Sequence, residues 1–223
     1  MKLTKNLKIG INQPHYLSWR LYYERIKEVN VHVVLDHVQF EKNSLVNRNK
    51  ICRVGDDPFY LSVPLSTKGK FGNLAINKIS TSELINWRRK HIDSIKSTLL
   101  KNSHDPEFIF QIIEIIARER TQPDFLKIVV DLDRLILKKL NINTKIIFSS
   151  ELVLKNSKSE MILEICKSLG ANTYLSGPGG KNYLNKNKFI ENNIDIEFTD
   201  KIFRQNVNKY RSISERLSIL VDI

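Results

Sequence analysis

Apolar residues stand in short β-branched runs toward both ends of the chain and at helical spacing between them. Lys8-Ile9-Gly10-Ile11-Asn12 reads as a strand stopped by Pro14, which lacks the amide a ladder needs. Ser18 is placed to cap a helix from about Trp19 to Val29, where Leu21, Tyr22, Ile26 and Val29 fall on one face. Val31 to Leu35 follows as a run of the kind buried in a parallel sheet. Strand, helix and strand form a βαβ unit, whose crossover is right-handed.

Beyond it, Glu41 to Asp57 is polar and loop-like, and Phe59 to Val63 reads as a strand ended by Pro64. Leu65 to Asn73 is a Gly/Lys loop that could serve as a lid. From Leu84 to about Leu140 the period is helical, broken near Asp105-Pro106 and Gln122-Pro123, with length for three helices. Thr144 to Phe148 is a strand. Ser157 or Ser159 caps a helix that ends at Gly170 and carries Ile162, Ile165, Cys166 and Leu169 along one side. Ala171 to Leu175 is a strand running into Ser176-Gly177-Pro178-Gly179-Gly180. A short helix near Lys186 to Asn192, a last strand at Ile194 to Phe198 and an amphipathic segment near Ile213 to Val221 complete the chain.

Strands alternating with helices at both ends predict an α/β fold: an open parallel, Rossmann-like sheet with flanking helices. The expected organisation is a single domain over 1–223, with a helical insertion over 84–140 and the second half of the sheet over 141–223. Such a sheet binds ligands at the carboxyl ends of its strands, beside the point where strand order reverses. The loops leaving the first strand and the Tyr174 strand are therefore the expected cleft. They also hold the least generic residues of the chain, Gln13-Pro14-His15-Tyr16 and Ser176-Gly177-Pro178-Gly179-Gly180.

Composition changes this picture little. With 223 residues, 41% of them apolar, the chain buries a core without disulfide or metal. The net charge of +12 favours polyanions, but the cations are spread along the chain in a background rich in Lys, Asn and Ile. A nucleic-acid partner is therefore not favoured, and tRNA is left open. Met1 to Lys8 lacks the apolar run of a signal peptide, and no apolar stretch is long enough to span a bilayer. A cytoplasmic protein without membrane insertion is expected, with Cys52 and Cys166 as reduced packing residues. No His/Cys/Asp cluster has zinc spacing, so no metal site is expected, and no nucleophile elbow is present.

Several residues carry candidate chemistry. His15, between a strand and a helix start, suits general acid/base work or a phosphate contact, or is a plain loop histidine. Gln13 and Tyr16 flank it. Asp36, at the end of a buried strand, suits a ribose, an amine or a metal, or caps the turn. Asn47 and Arg48 offer an amide and a guanidinium for a phosphate or carboxylate, or a solvated surface. Trp87 and His91, spaced i, i+4, share a helix face that could line a sugar pocket or pack in the core. Ser176, Gly177, Gly179 and Gly180 offer amides for a pyrophosphate or oxyanion, with Lys181 and Tyr183 adding charge and a stacking surface, or they merely turn the chain.

These motifs together resemble the WbqC-like family. The resemblance rests on Ile11 to Trp19, Val34 to Phe40, Asn47 to Ile51, Trp87 to His91, Ser149 to Leu152, Tyr174 to Gly180 and Leu217 to Leu220, in the family's order over nearly the whole chain. The chain departs from it at Ser18, where a proline is usual, and at His37, where an aspartate is. The resemblance implies a bacterial protein of O-antigen or related surface-polysaccharide assembly, and transfer of glycine or another acyl group onto amino sugars; beside the phosphate-binding candidates, a nucleotide-linked amino sugar is the expected substrate. With that activity, His15 and His91 are the expected acid/base residues and Asp36 is expected to orient the amine or a hydroxyl, with no bound cofactor beyond an activated acyl donor, acyl-CoA or aminoacyl, of unspecified identity. A non-catalytic nucleotide-sugar-binding protein and an aminoacyl-tRNA-dependent transferase stay open beside it.

Overall fold

The computed structural model describes residues 6–53, 55–67, 69, 74–82, 86–100, 103–214 and 216–222, with 213 and 214 by backbone alone. Its strands are β1 (Lys8–Asn12), β2 (Val31–Val34), β3 (Arg48–Ile51), β4 (Phe59–Ser62), β5 (Lys145–Phe148), β6 (Thr173–Ser176) and β7 (Asp195–Phe198). Its helices are α1 (Arg20–Lys27), α2 (Trp87–Ile95), α3 (Pro106–Ala117), α4 (Phe125–Lys139), α5 (Lys158–Ser168), α6 (Lys186–Glu191), α7 (Asp200–Asn206) and α8 (Arg211–Ser214).

Five strands form one parallel sheet in the order β5-β2-β1-β6-β7. The chain winds from β1 outward through β2 to β5, then returns to the other side of β1 for β6 and β7. The reversal lies between β1 and β6, the topology of an open doubly wound sheet. Side chains of the inner strands β2, β1 and β6 alternate between two covered faces, which is why they read as largely apolar runs, whereas the edge strand β7 exposes Asp195 and Glu197. Ile9, Ile11, Val33 and Tyr174 pack with Ile162, Ile165 and Cys166 of α5 and Phe189 of α6. On the opposite face, Leu175 packs with Leu21 of α1 and Ile202 of α7. There too, Val34, Ile146 and Phe148 meet Tyr22 and Ile26 of α1 and Val130 and Leu137 of α4 across a cavity of about 100 Å³.

The stretch expected as a helical insertion contributes α2, α3 and α4, divided at the expected breaks: Asp105 caps α3 through Phe108 N, and Gln122-Pro123 is a cis bond. It does not stand apart, since Trp87, Ile95, Ile109, Ile112, Phe125 and Val129 share one core with Tyr16, Tyr23 and Ile26. Helix α4 is the last helix of the connection from β2 to β5 and packs on the sheet, with α3 against it and α2 against α3. Leu84, the expected start of this region, lies outside the described residues, as do 68 and 70–73 of the expected lid loop and residue 215 of the expected C-terminal segment.

The loop before β4 and the start of α1 differ from expectation. The polar stretch read as a loop contains β3, which pairs antiparallel with β4 (Phe59–Ser62, read as a strand), so the two form a separate hairpin. Its alternation is masked because Asn49, not an apolar residue, fills a buried position beside Ile51, its amide donating to Leu17 O at 2.7 Å. Helix α1 starts after Trp19 and ends at Lys27, and Ser18 does not cap it; its hydroxyl is buried without a partner. Gly170 does end α5 as expected, with φ of 69°, in the left-handed region that favours glycine.

Candidate functional site

The ladder between β1 and β6 ends at Gly10↔Leu175, while that between β1 and β2 continues to Asn12↔Val34. Past this point the loops after β1 and β6 part, and a crevice of about 300 Å³ opens between them. Asn12, His15, Arg25, Gly177, Gly180 and Tyr183 are among the residues that line it. This is the position that strand order alone designates for a ligand.

Arg25 forms the floor. It is 8% exposed, on the buried face of α1 beside Ile26, and its Nη2 donates to Ile11 O at 2.7 Å, a carbonyl of β1 beyond the ladder to β6. Its Nε has no partner, and no carboxylate among the described residues pairs with it. Burial lowers its pKa, yet an arginine remains charged at any ordinary pH. A buried cation with no counter-ion costs several kcal/mol on the order of magnitude, and an anion arriving in the crevice offsets that cost. The glycine loop closes over it. A Cβ on Gly177 would lie 3.0 Å from Arg25 Nη1, and one on Gly180 would lie 2.0 Å from Ser176 Oγ. The Gly180 amide is taken by Gly177 O at 3.0 Å within the turn Pro178–Asn182, so the loop's contribution is close approach of backbone rather than a full ring of free amides.

His15 stands on the β1 side of the same crevice. Its Nδ1 is buried without a partner, and its ring lies 5.5 Å from that of Tyr22. Burial, and then the Arg25 charge, hold its pKa down to about 4, so at neutral pH it is an uncharged imidazole able to accept a proton or hydrogen bond. Asn12 Oδ1 is likewise buried and unpartnered. Across the shared residues Trp19, Leu21, Leu45, Pro178 and Thr199 the crevice continues into an outer compartment of about 500 Å³, walled by Phe203, Arg204 and Arg216.

Of the residues singled out in the sequence, the structure brings together His15, Gly177, Gly179, Gly180 and Tyr183. Gln13 is half-buried in the first loop, outside the crevice lining. Tyr16 and His91 meet elsewhere, the Tyr16 hydroxyl 2.9 Å from His91 Nδ1, with Trp87 edge-on to His91 at 5.1 Å. All three are buried, and burial lowers the His91 pKa to about 4. Asp36 lies at the end of β2, one strand away from the reversal. It accepts from Ser149 Oγ and Ser150 N at 2.9 Å, Ser150 Oγ at 2.6 Å and Asn77 Nδ2 at 3.3 Å, tying β2 to the turn after β5. Asn47 donates to Val63 O at 2.8 Å, and Arg48 donates to Asn43 O at 2.6 Å with its guanidinium over Tyr60. Lys181 pairs with Asp200 at 3.0 Å, and the buried Ser176 hydroxyl donates to Gly177 O. Cys166 sits on the α5 core face, where burial pushes its thiol up to about 12.

Arg25, Asn12 and Trp19 were not picked out as site residues from the sequence. For Arg25 there was a signal: it stands four residues from both Leu21 and Val29, in the middle of an otherwise apolar helix face. Among the described residues no group of His, Cys, Asp and Glu could hold a metal ion, and no helix is long and apolar enough to cross a membrane.

The model of the WbqC-like protein family matches residues 13–221. The chain is similar to the "uncharacterized protein Rv1507c" of Mycobacterium tuberculosis, 25% identical over 194 residues that cover 86% of this chain and 82% of the relative. No solved structure matches it.

Proposed function

The chain belongs to the WbqC-like protein family, and from that premise we propose that it is a cytoplasmic acyl- or aminoacyltransferase acting on a nucleotide-linked amino sugar in bacterial surface-polysaccharide assembly. One observation carries the proposal: a buried arginine without a carboxylate partner at the strand-order reversal, with a neutral histidine in the same crevice. The guanidinium receives a phosphate of the substrate in charge-assisted hydrogen bonds. The sugar amine then lies toward His15. As the amine attacks the acyl carbonyl of an activated donor, the N–C bond forms, the bond to the donor's leaving group breaks, and the proton leaving nitrogen passes to His15. Phosphate on Arg25 also offsets the positive charge that depresses His15, so the imidazole is a stronger base with substrate bound than without it. In this reading Asp36 and His91 hold the frame, and neither touches the ligand.

The test is conversion of nucleotide-linked amino sugars, offered with acyl-CoA or aminoacyl donors and read by mass spectrometry. Arg25→Met is expected to abolish binding, and His15→Ala to keep binding while lowering turnover about 10²-fold or more. Full turnover in either variant overturns the assignment. A second reading, a nucleotide-sugar-binding protein without catalysis, is favoured by His15 Nδ1 having no partner among the described residues that would orient it. Binding without conversion under every donor would support it.

A further inference from the structure

The inner crevice, at about 300 Å³, lies at the small end of the roughly 300–1,000 Å³ that accommodates a drug-sized ligand. A nucleotide-linked sugar carries a base, a ribose, two phosphates and a hexose. With its phosphates at Arg25 and its sugar at His15, the crevice is filled, and the nucleoside must lie elsewhere. The volume that adjoins it is the outer compartment of about 500 Å³ beyond Trp19 and Pro178.

We propose that this outer compartment is the nucleoside site, with the base stacked against Phe203 and Trp19. The inference rests on the inner crevice being a phosphate site and specifies which way the substrate lies in it. Phe203, on α7, keeps 37% of its surface exposed where the compartment opens, and Trp19 is half-buried at the border of the two spaces. Aromatic faces bind bases without a particular hydrogen-bond pattern, which suits a wall that offers few polar atoms. Asn49, the amide in that wall, is already spent on Leu17 O and Lys50 N. Arg204 and Arg216 add positive charge, whereas Asp200, the lining's carboxylate among the described residues, is held by Lys181. The compartment is thus apolar, aromatic and cationic, a match for a nucleoside joined to phosphates rather than for a second sugar.

Calorimetric titration of the full chain with UDP, ADP and inorganic pyrophosphate tests this. The nucleoside diphosphates are expected to bind about tenfold or more tighter than pyrophosphate. Phe203→Ala and Phe203→Leu should each remove most of that difference, while pyrophosphate affinity stays within about twofold. The leucine variant keeps apolar bulk and loses only the ring face, and pyrophosphate affinity retained in both variants excludes a folding defect. Pyrophosphate binding as tightly as UDP and ADP, or UDP binding unchanged in both variants, overturns the nucleoside site and leaves the phosphate site standing. Failure of all three ligands to bind overturns the phosphate site and this inference with it.

Discussion

At the scale of single residues, Arg25 sets function against stability. Its guanidinium is desolvated, its Nε has no partner, and one carbonyl, Ile11 O, accepts from it. Replacing a buried ion by an apolar side chain of similar volume is often neutral or stabilising, by up to about 1–4 kcal/mol. Arg25→Met should therefore unfold at the same temperature as the native chain or higher, since the loss of one hydrogen bond near the crevice costs only about 1 kcal/mol. The native chain should in turn gain about 2.7 kcal/mol from an anion at a hundred times its Kd, and the variant nothing. Thermal unfolding with and without pyrophosphate reads both effects. A variant several degrees less stable, with ligand stabilisation intact, would make Arg25 a structural residue and not an anion receptor.

At the scale of elements, the turn after β6 makes a sharper contrast than its four consecutive small residues suggest. A Cβ at Gly180 meets Ser176 Oγ at 2.0 Å and Leu184 Cδ1 at 2.9 Å, whereas one at Gly179 meets nothing within 4 Å. Gly180→Ala should cost about 1–3 kcal/mol by overpacking and open the turn away from Arg25, and Gly179→Ala should be nearly silent. Chemical denaturation of the two variants decides it; equal effects would show that the turn adjusts freely. The same stretch illustrates what a sequence can convey. The inner parallel strands were legible because both their faces are buried, the edge strand β7 by its alternation, and the reversal of strand order then located the crevice from topology alone. The β3–β4 hairpin was not legible, because Arg48, Asn49 and Lys50 carry polar atoms into a strand whose one buried amide is satisfied by Leu17 O, a contact no local pattern announces. His91 and Trp87 were legible as a helix-face pair, but whether that face meets a cleft or a core depends on Tyr16, seventy-five positions away. Arg25 stood on an apolar face in plain view, and only the fold reveals that the glycine turn, not a carboxylate, lies opposite.

At the scale of the whole molecule, the buried His32 and His91 and the half-buried His15 make the fold sensitive to acid. Burial, as the largest cause in each case, holds His15 and His91 at about 4 and His32 at about 3. A depressed histidine binds its proton more weakly folded than unfolded. Its contribution to stability is therefore present above about pH 6.5, the unfolded value, and is lost as pH falls toward the folded one. Asp133 works the other way. Burial raises its pKa to about 7 against the opposing hydrogen bond from the Tyr23 hydroxyl, so between about pH 7 and 4 it takes up a proton in the folded chain first. Three protons favour the unfolded chain in this window and one favours the folded, so stability should fall by up to about 2.7 kcal/mol per pH unit. Between about pH 6.5 and 4.5 that slope removes about 5 kcal/mol, a large share of a typical total of about 5–15 kcal/mol, before the ordinary carboxylates titrate. His32 isolates the effect, because both its ring nitrogens lack partners and it lies outside the proposed crevice. His32→Leu should reduce the slope by about one proton, and Asp133→Asn should increase it by about the same while stabilising the chain at pH 8. Urea unfolding from pH 5 to 8 measures these slopes; a decline that neither substitution alters would place the acid sensitivity in the surface carboxylates instead.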